Sequence, residues 1–225
     1  MRQKTLEFRK SNGGELMTIT CGEATVRLLK KYGVSTVFGI PGVHTLDLCR
    51  GLYAGENFGE IKHVQARNEQ GAGFMAEGWA RATGEVGVAI VISGPGVTNA
   101  STALGQCYAD SLPMLLISAE PEINTLKKGW GVLHEITEQK KVTEPLTAFS
   151  VTAQIPSDIP DYFAKAFSIF QSQRPRPVHI SIPLDVLSQA VIDEWMPVKA
   201  IKKPQPRRDL ITEAVEMLKK ATNPC

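Results

Sequence analysis

Four short stretches hold the side chains that could do chemistry. In NEQGAG (68–73) a carboxylate enters the first turn of a helix-forming segment (69–83), just after an Asn68 that can cap it. The helix macrodipole favours the ionised form of Glu69 there, while burial would raise its pKa. A carboxyl group caught between those effects suits acid–base work. Taken alone, the same residue reads as a surface glutamate. The glycines behind it, Gly71 and Gly73, cost helix stability relative to alanine and so ask for a reason.

The other three stretches are loops. Gly39-Ile40-Pro41-Gly42 makes a tight turn after a strand, where bare backbone can approach a ligand, although by itself it is simply a strand-to-helix connection. SGPGVTNAS (93–101), with Gly94, Thr98 and Asn99, opens a helix whose first amides can receive a ligand. It is not a dinucleotide fingerprint, because Val97, Thr98 and Asn99 stand where the third glycine belongs, and it lacks the Gly-Lys-Ser/Thr of a P-loop. KKGWGVLHEITEQKK (127–141) sets His134 beside Glu135, with Gly129 and Gly131 as hinges. Long ordered loops on a sheet's ligand edge are often functional, and the plain alternative is a lid with incidental charges.

These stretches need a frame to hold them. The patterning predicts helices over 20–34 (cap Thr20, stop Gly33), 44–53, 69–83, 99–110 and 158–172, and strands over 35–40, 61–65, 86–93, 114–118 and 177–182. The apolar run VGVAIVIS is of the kind buried on both faces of a parallel sheet. Alternating strands and helices imply an α/β, doubly wound, mostly parallel sheet with helices on both faces. Such sheets bind ligands at the carboxyl ends of their strands, which puts the loops after Ile40, Gln65, Ser93 and Ser118 on one edge. Residues 119–147 are irregular. Residues 1–16 read as a loosely ordered extension and 17–190 as the main domain. The proline-rich, basic stretch 191–208 reads as a linker, and 209–225, with Asp209 as its cap, begins a truncated second domain.

With 225 residues, 43% hydrophobic and 21% charged, the composition is ordinary, and a net charge of +2 argues against a nucleic-acid partner. No apolar run approaches the roughly 20 residues of a membrane helix, and the first residues lack the apolar core of a secretory signal. The four cysteines are scattered without a CxxC, which supports neither a disulfide framework nor a zinc site and fits a reducing, cytoplasmic setting. No metal-ligating set is expected in this chain.

In colinear order, GVSTVFGIPGVHTLDL, HVQARNEQGAGFMAEGWARATG, VISGPGVTNASTALGQCYADSLPMLLIS and RPRPVHISIPLDV resemble the N-terminal, pyrimidine-binding domain of thiamine diphosphate-dependent enzymes of the acetolactate synthase and 2-oxo acid decarboxylase type. The resemblance implies that Glu69 hydrogen-bonds N1′ of the aminopyrimidine, favouring the tautomer that removes the thiazolium C2 proton, so that the cofactor can attack a 2-oxo acid and release carbon dioxide. It also implies that Ile40, Pro41, Gly42, Gly94, Thr98 and Asn99 border the pyrimidine, with Gly71 and Gly73 leaving room behind its ring. Mg²⁺ would be bound by a C-terminal domain through a Gly-Asp-Gly…Asn pattern that these residues lack. FAD, where relatives use it, contacts a middle domain. The site would form between subunits of a homodimer or homotetramer, leaving this chain half a site and negligible activity alone.

Within that family, acetolactate synthases carry Phe-Gln-Glu where this chain has Leu133-His134-Glu135. GIPGVHTLDLCRGL and KKGWGVLHE look most like the guanidino-oxopentanoate decarboxylase branch. There His134 would pass a proton after carbon dioxide leaves, and Glu135 would meet a cationic substrate tail. Carboligation of the acetolactate synthase kind is an alternative. A non-catalytic pyrimidine domain that pairs with or regulates another subunit is another.

Overall fold

Strands that lack polar alternation must be covered on both sides, and the sheet meets that demand. The computed structural model describes residues 18–53, 60–192, 194–199 and 204–223. In chain order the elements are β1 (Ile19–Thr20), α1 (Cys21–Lys31), β2 (Thr36–Gly39), α2 (Leu46–Tyr53), β3 (Lys62–Gln65), α3 (Glu69–Thr83), β4 (Gly87–Val91), α4 (Pro95–Asp110), β5 (Met114–Glu120), α5 (Gln139–Thr143), β6 (Phe149–Thr152), α6 (Asp158–Ser172), β7 (Val178–Pro183), α7 (Leu184–Leu187), β8 (Ala190–Val191) and α8 (Arg208–Lys220). Six strands form one sheet in the order β3-β2-β4-β5-β7-β6, and every pairing in it is parallel. Every residue of β4, β5 and β7 is buried. Val88, Ile90, Leu115 and Ile117 point to one face, against Leu28, Leu29, Leu48, Phe163 and Phe167. Ala89, Val91, Met114 and Leu116 point to the other, against Ala72, Ala76, Ala100 and Leu104. This is the expected α/β architecture with helices on both faces. β1 and β8 pair antiparallel beside it.

Local chemistry sets the helix starts. Thr20 caps α1 in a reciprocal capping box with Glu23. Asn68 Oδ1 accepts the Gln70 amide at 2.8 Å, so α3 begins at Glu69, and Gly84 ends it in the left-handed region.

Several expectations are corrected. α4 starts at Pro95 rather than 99, because proline suits the first helical position. β5 runs on to Glu120. The half-buried strand β6 was not expected, and the irregular stretch contains α5. Asp209 does not cap α8; it pairs instead with Arg207, which holds the cap position. The expected extension at 1–16 lies outside the described residues.

The two glycines of α3 separate. A Cβ on Gly73 would lie 2.8 Å from the Ala103 Cβ, so this glycine lets α3 lie close against α4 instead of against a ring. A Cβ on Gly71 would meet nothing within 4 Å. Gly73→Leu should therefore destabilise the chain by about 1–3 kcal/mol through overpacking. Gly71→Ala should stabilise it by up to about 1 kcal/mol through helix propensity. Urea unfolding of both variants checks this; a Gly73→Leu variant as stable as the wild type would mean that the α3–α4 contact does not require glycine.

Candidate functional site

The carboxyl edge of the sheet gathers the four stretches. Glu69 is the first residue of α3 and Asn99 lies one turn into α4, and the close α3–α4 packing brings them together. Asn99 Nδ2 donates to Glu69 Oε2 at 2.9 Å. Glu69 is half-buried, and its Oε1 accepts no hydrogen bond from the described residues. The arrangement is a carboxylate held by one oxygen, with the other free to face a donor.

The turn after β2 seats against the turn after β4. A Cβ on Gly42 would lie 2.6 Å from Ile92 Cγ2, so glycine is required there by a neighbouring side chain. Ile40 is half-buried and Pro41 exposed. Thr98 is exposed, and its hydroxyl turns back to the Pro95 carbonyl at 3.1 Å. Gly94 adopts φ 59°, and a Cβ on it would lie 2.3 Å from the His134 carbonyl oxygen. The long loop therefore rests directly on the glycine turn that opens α4.

His134 itself is strained, with φ 60°, and its Nδ1 is buried without a hydrogen-bond partner among the described residues. Its ring meets His44 edge-on, with centroids 5.4 Å apart. His44 is buried, and its Nδ1 lies 2.7 Å from Ser93 Oγ. Burial, and then the neighbouring His134, hold His44 below the ordinary histidine range. Glu135 is engaged within its own loop: Gly129 N donates to Oε1 at 2.9 Å, and Gly131 N and Val132 N donate to Oε2 at 2.7 and 3.2 Å. Gly129 and Gly131 thus serve a clasp, with left-handed backbone that aims their amides, where hinges were expected.

Beneath the loop lies a buried polar network centred on Gln139, the first residue of α5, which is 2% exposed. Its Oε1 accepts the Gly94 amide at 2.7 Å. Its Nε2 lies 2.7–2.9 Å from Ser181 Oγ, the Ala119 carbonyl and Ser118 Oγ. Ser118 Oγ continues to His179 Nε2 at 2.7 Å, and His179 Nδ1 is 2.7 Å from Thr143 Oγ1. Complete burial lowers the His179 pKa to about 3, so the ring is neutral. On the other side, Ser181 and Thr152 donate to Oε2 of Glu120, the buried last residue of β5, at 2.9 and 3.0 Å. Burial raises the Glu120 pKa, and those two hydroxyls oppose the rise.

The structure brings Glu69 to Asn99, and His134 to Gly94; α4 links the two pairs. Sequence reasoning passed over His44, Ser93, Glu120, Gln139 and His179. His44 carried a usable signal, a histidine two residues past a glycine turn on the ligand edge. Glu120 carried one too, a carboxylate at the end of an apolar strand. Gln139 and His179 carried none, because their partners come from distant segments. Among the described residues no group of three or more His, Cys, Asp or Glu could hold a metal ion, and no helix is long and apolar enough to cross a membrane.

Residues 19–142, more than half of the chain, match the family described as thiamine pyrophosphate enzyme, N-terminal TPP binding domain, and the chain belongs to it. It is 52% identical, over 92% of its length and 37% of the relative's, to the "Probable 2-ketoarginine decarboxylase AruI" of Pseudomonas aeruginosa. It is 37% identical to an acetolactate synthase of Arthrospira platensis, over 92% of this chain and 36% of that one. To the acetolactate synthase isozyme 3 large subunit of Escherichia coli it is 40% identical, over 75% of this chain and 28% of that one. The chain thus spans between 28% and 37% of these relatives' length.

The buried network makes a prediction about pH. The unfolded chain protonates His179 below about pH 6.5, whereas the folded chain keeps it neutral down to about pH 3. The unfolded state binds the extra proton, so stability falls as pH drops through that window, by up to about 1.4 kcal/mol per pH unit from this group. Urea unfolding from pH 7 to 4 should show a shallower slope in His179→Asn than in the wild type. Equal slopes would mean that His179 takes up its proton in the folded state.

Proposed function

We propose that this chain is the pyrimidine-binding half of the active site of a thiamine diphosphate-dependent decarboxylase acting on a 2-oxo acid with a cationic tail. The observation that carries the reading is Glu69, held through one oxygen by Asn99 while the other stays open. The bound cofactor supplies the electron sink for loss of carbon dioxide. This chain supplies position and a proton site. Glu69 would accept a hydrogen bond from the proton-bearing N1′ of the pyrimidine, with Asn99 orienting the carboxyl group. The residues fit that role: Oε1 has the free lone pairs it needs. Ile40, Pro41 and Gly42 would flank the ring, with Gly94, Thr98 and Asn99 on the turn opposite.

His134 would hold or deliver a proton at the reacting carbon, since its Nδ1 has no partner among the described residues. Glu135 would act by shaping the loop and by adding negative charge beside a cationic tail. The cation is suggested by the relative at 52% identity, whose name specifies 2-ketoarginine. The relatives at 37–40% keep carboligation of the acetolactate synthase kind as a second reading. Mg²⁺ and the diphosphate would be held by segments outside these residues, in a cytoplasmic homodimer or homotetramer whose partner completes the site. In this reading residues 17–190 are the pyrimidine domain, 191–208 a linker, and 209–225 the start of the next domain; none of α8 is buried.

In the full-length enzyme, Glu69→Gln should keep the far-ultraviolet circular dichroism and lower kcat by about 100-fold or more. Asn99→Ala leaves the carboxylate in place but unheld, and should lower kcat by about 10- to 100-fold. Steady-state decarboxylation of a panel of 2-oxo acids reads both, and wild-type rates in Glu69→Gln would refute the role.

A further inference from the structure

One carboxyl group on the carboxyl edge is left without a task. Glu120 is 7% exposed and lines a narrow cleft under the 121–138 loop, together with Lys127, His134, Glu135 and Gln139. Only its Oε2 is used inside the protein, by Ser181 and Thr152, and Oε1 accepts no hydrogen bond from the described residues. A buried carboxylate is costly unless a cation or several donors compensate it. The ammonium groups of Lys127 on the loop and of Lys140 and Lys141 on α5 lie 3.5, 3.9 and 3.0 Å from Glu138, and of these Lys140 is also near enough to favour the charged form of Glu120. Neither Glu120 nor Glu135 forms an ion pair among the described residues. The same cleft is lined by His134, whose buried Nδ1 also lacks a partner.

Taking the proposed function as given, we infer that this cleft receives the cationic end of the substrate, and that Glu120, rather than Glu135, is its charge partner. Both Glu135 oxygens already hold loop amides, and diverting them would undo the clasp. Glu120 Oε1 is free to accept two N–H donors of a guanidinium, or one of an ammonium. The direction fits as well. The His134 backbone sits over Gly94 at the glycine turn, while the residue also lines the cleft. A 2-oxo acid reacting beside His134 would therefore extend its far end toward Glu120. The cleft as it stands holds about 10 Å³, so admitting the substrate tail requires its roof, which carries a short 3-10 turn (Ile123–Thr125), to lift between the loop's anchored ends.

The test compares kcat/KM of the full-length enzyme for 5-guanidino-2-oxopentanoate and for its neutral isostere 5-ureido-2-oxopentanoate. The wild type should prefer the guanidino acid, Glu120→Gln should cut that preference at least tenfold, and Glu120→Asp, which keeps the charge but shortens its reach, should fall between. A wild-type preference that survives Glu120→Gln overturns the assignment to Glu120 and leaves the proposed function standing. A wild type indifferent to the charge overturns the cationic reading itself, and this inference with it. Should Glu120→Gln not fold, the wild type decides: propylguanidinium should inhibit at least tenfold more strongly than propylurea, and equal inhibition overturns the subsite.

Discussion

The site hangs on one buried primary amide. Gln139 accepts the Gly94 amide and offers its own hydrogens to Ser118, Ala119 and Ser181, so one side chain ties the turn after β4 to the ends of β5 and β7. An amide suits this place because it presents an acceptor and two donors while remaining neutral. A glutamate would bring a charge into this buried cluster and remove the donors now facing Ser118, Ala119 and Ser181. Since Gln139 also starts α5, its seating fixes where the long loop ends. The other end follows Glu120, whose carboxyl is bonded to Ser181, a partner of Gln139. Both ends of the loop are therefore anchored to one hydrogen-bonded cluster.

That anchoring explains how the loop tolerates strain. Lys127 and His134 both adopt left-handed backbone, which costs non-glycine residues free energy. The conformation persists because the surroundings over-determine it. Glu135 gathers three amides on one side, and the Gly94 turn carries the His134 carbonyl on the other. The result is a histidine with a buried, unpartnered nitrogen set edge-on to a second histidine that burial keeps uncharged. A purely structural loop would gain nothing from leaving that nitrogen unsatisfied.

Local signals made the frame legible. The continuous apolar runs of β4 and β5, the Asn68 cap and the Thr20 cap each read correctly because their cause lies within a few residues. β6 escaped because FSVT is short, half-buried, and made a strand only by pairing with β7. In the site, Glu69 was legible from its helix position and from the resemblance, while its tether to Asn99 depends on how closely two helices pack. The purpose of Gly73 was misread for the same reason: a glycine in a helix announces a close neighbour but does not say which one. Gln139 and His179 were silent, since nothing in a polar loop or an apolar strand marks a residue whose partners lie 20 to 60 positions away.

What remains open in this chain is the environment of Glu69. Asn99 holds one of its oxygens, and the side chain is half-exposed to water. Under the proposed function, a shared proton between the carboxylate and a ring nitrogen has force only when water is excluded. The chain does not provide that exclusion by itself. Gly71 and Phe74, three residues apart on α3 and so on one side of the helix, stay exposed, with open space at Gly71. Bare backbone there costs helix stability and fills no contact within the described residues. Glu69, two residues before Gly71, faces a different side of α3, toward Asn99, so under the proposed function the cover over its carboxyl group has to meet the edge where α3 and α4 come together.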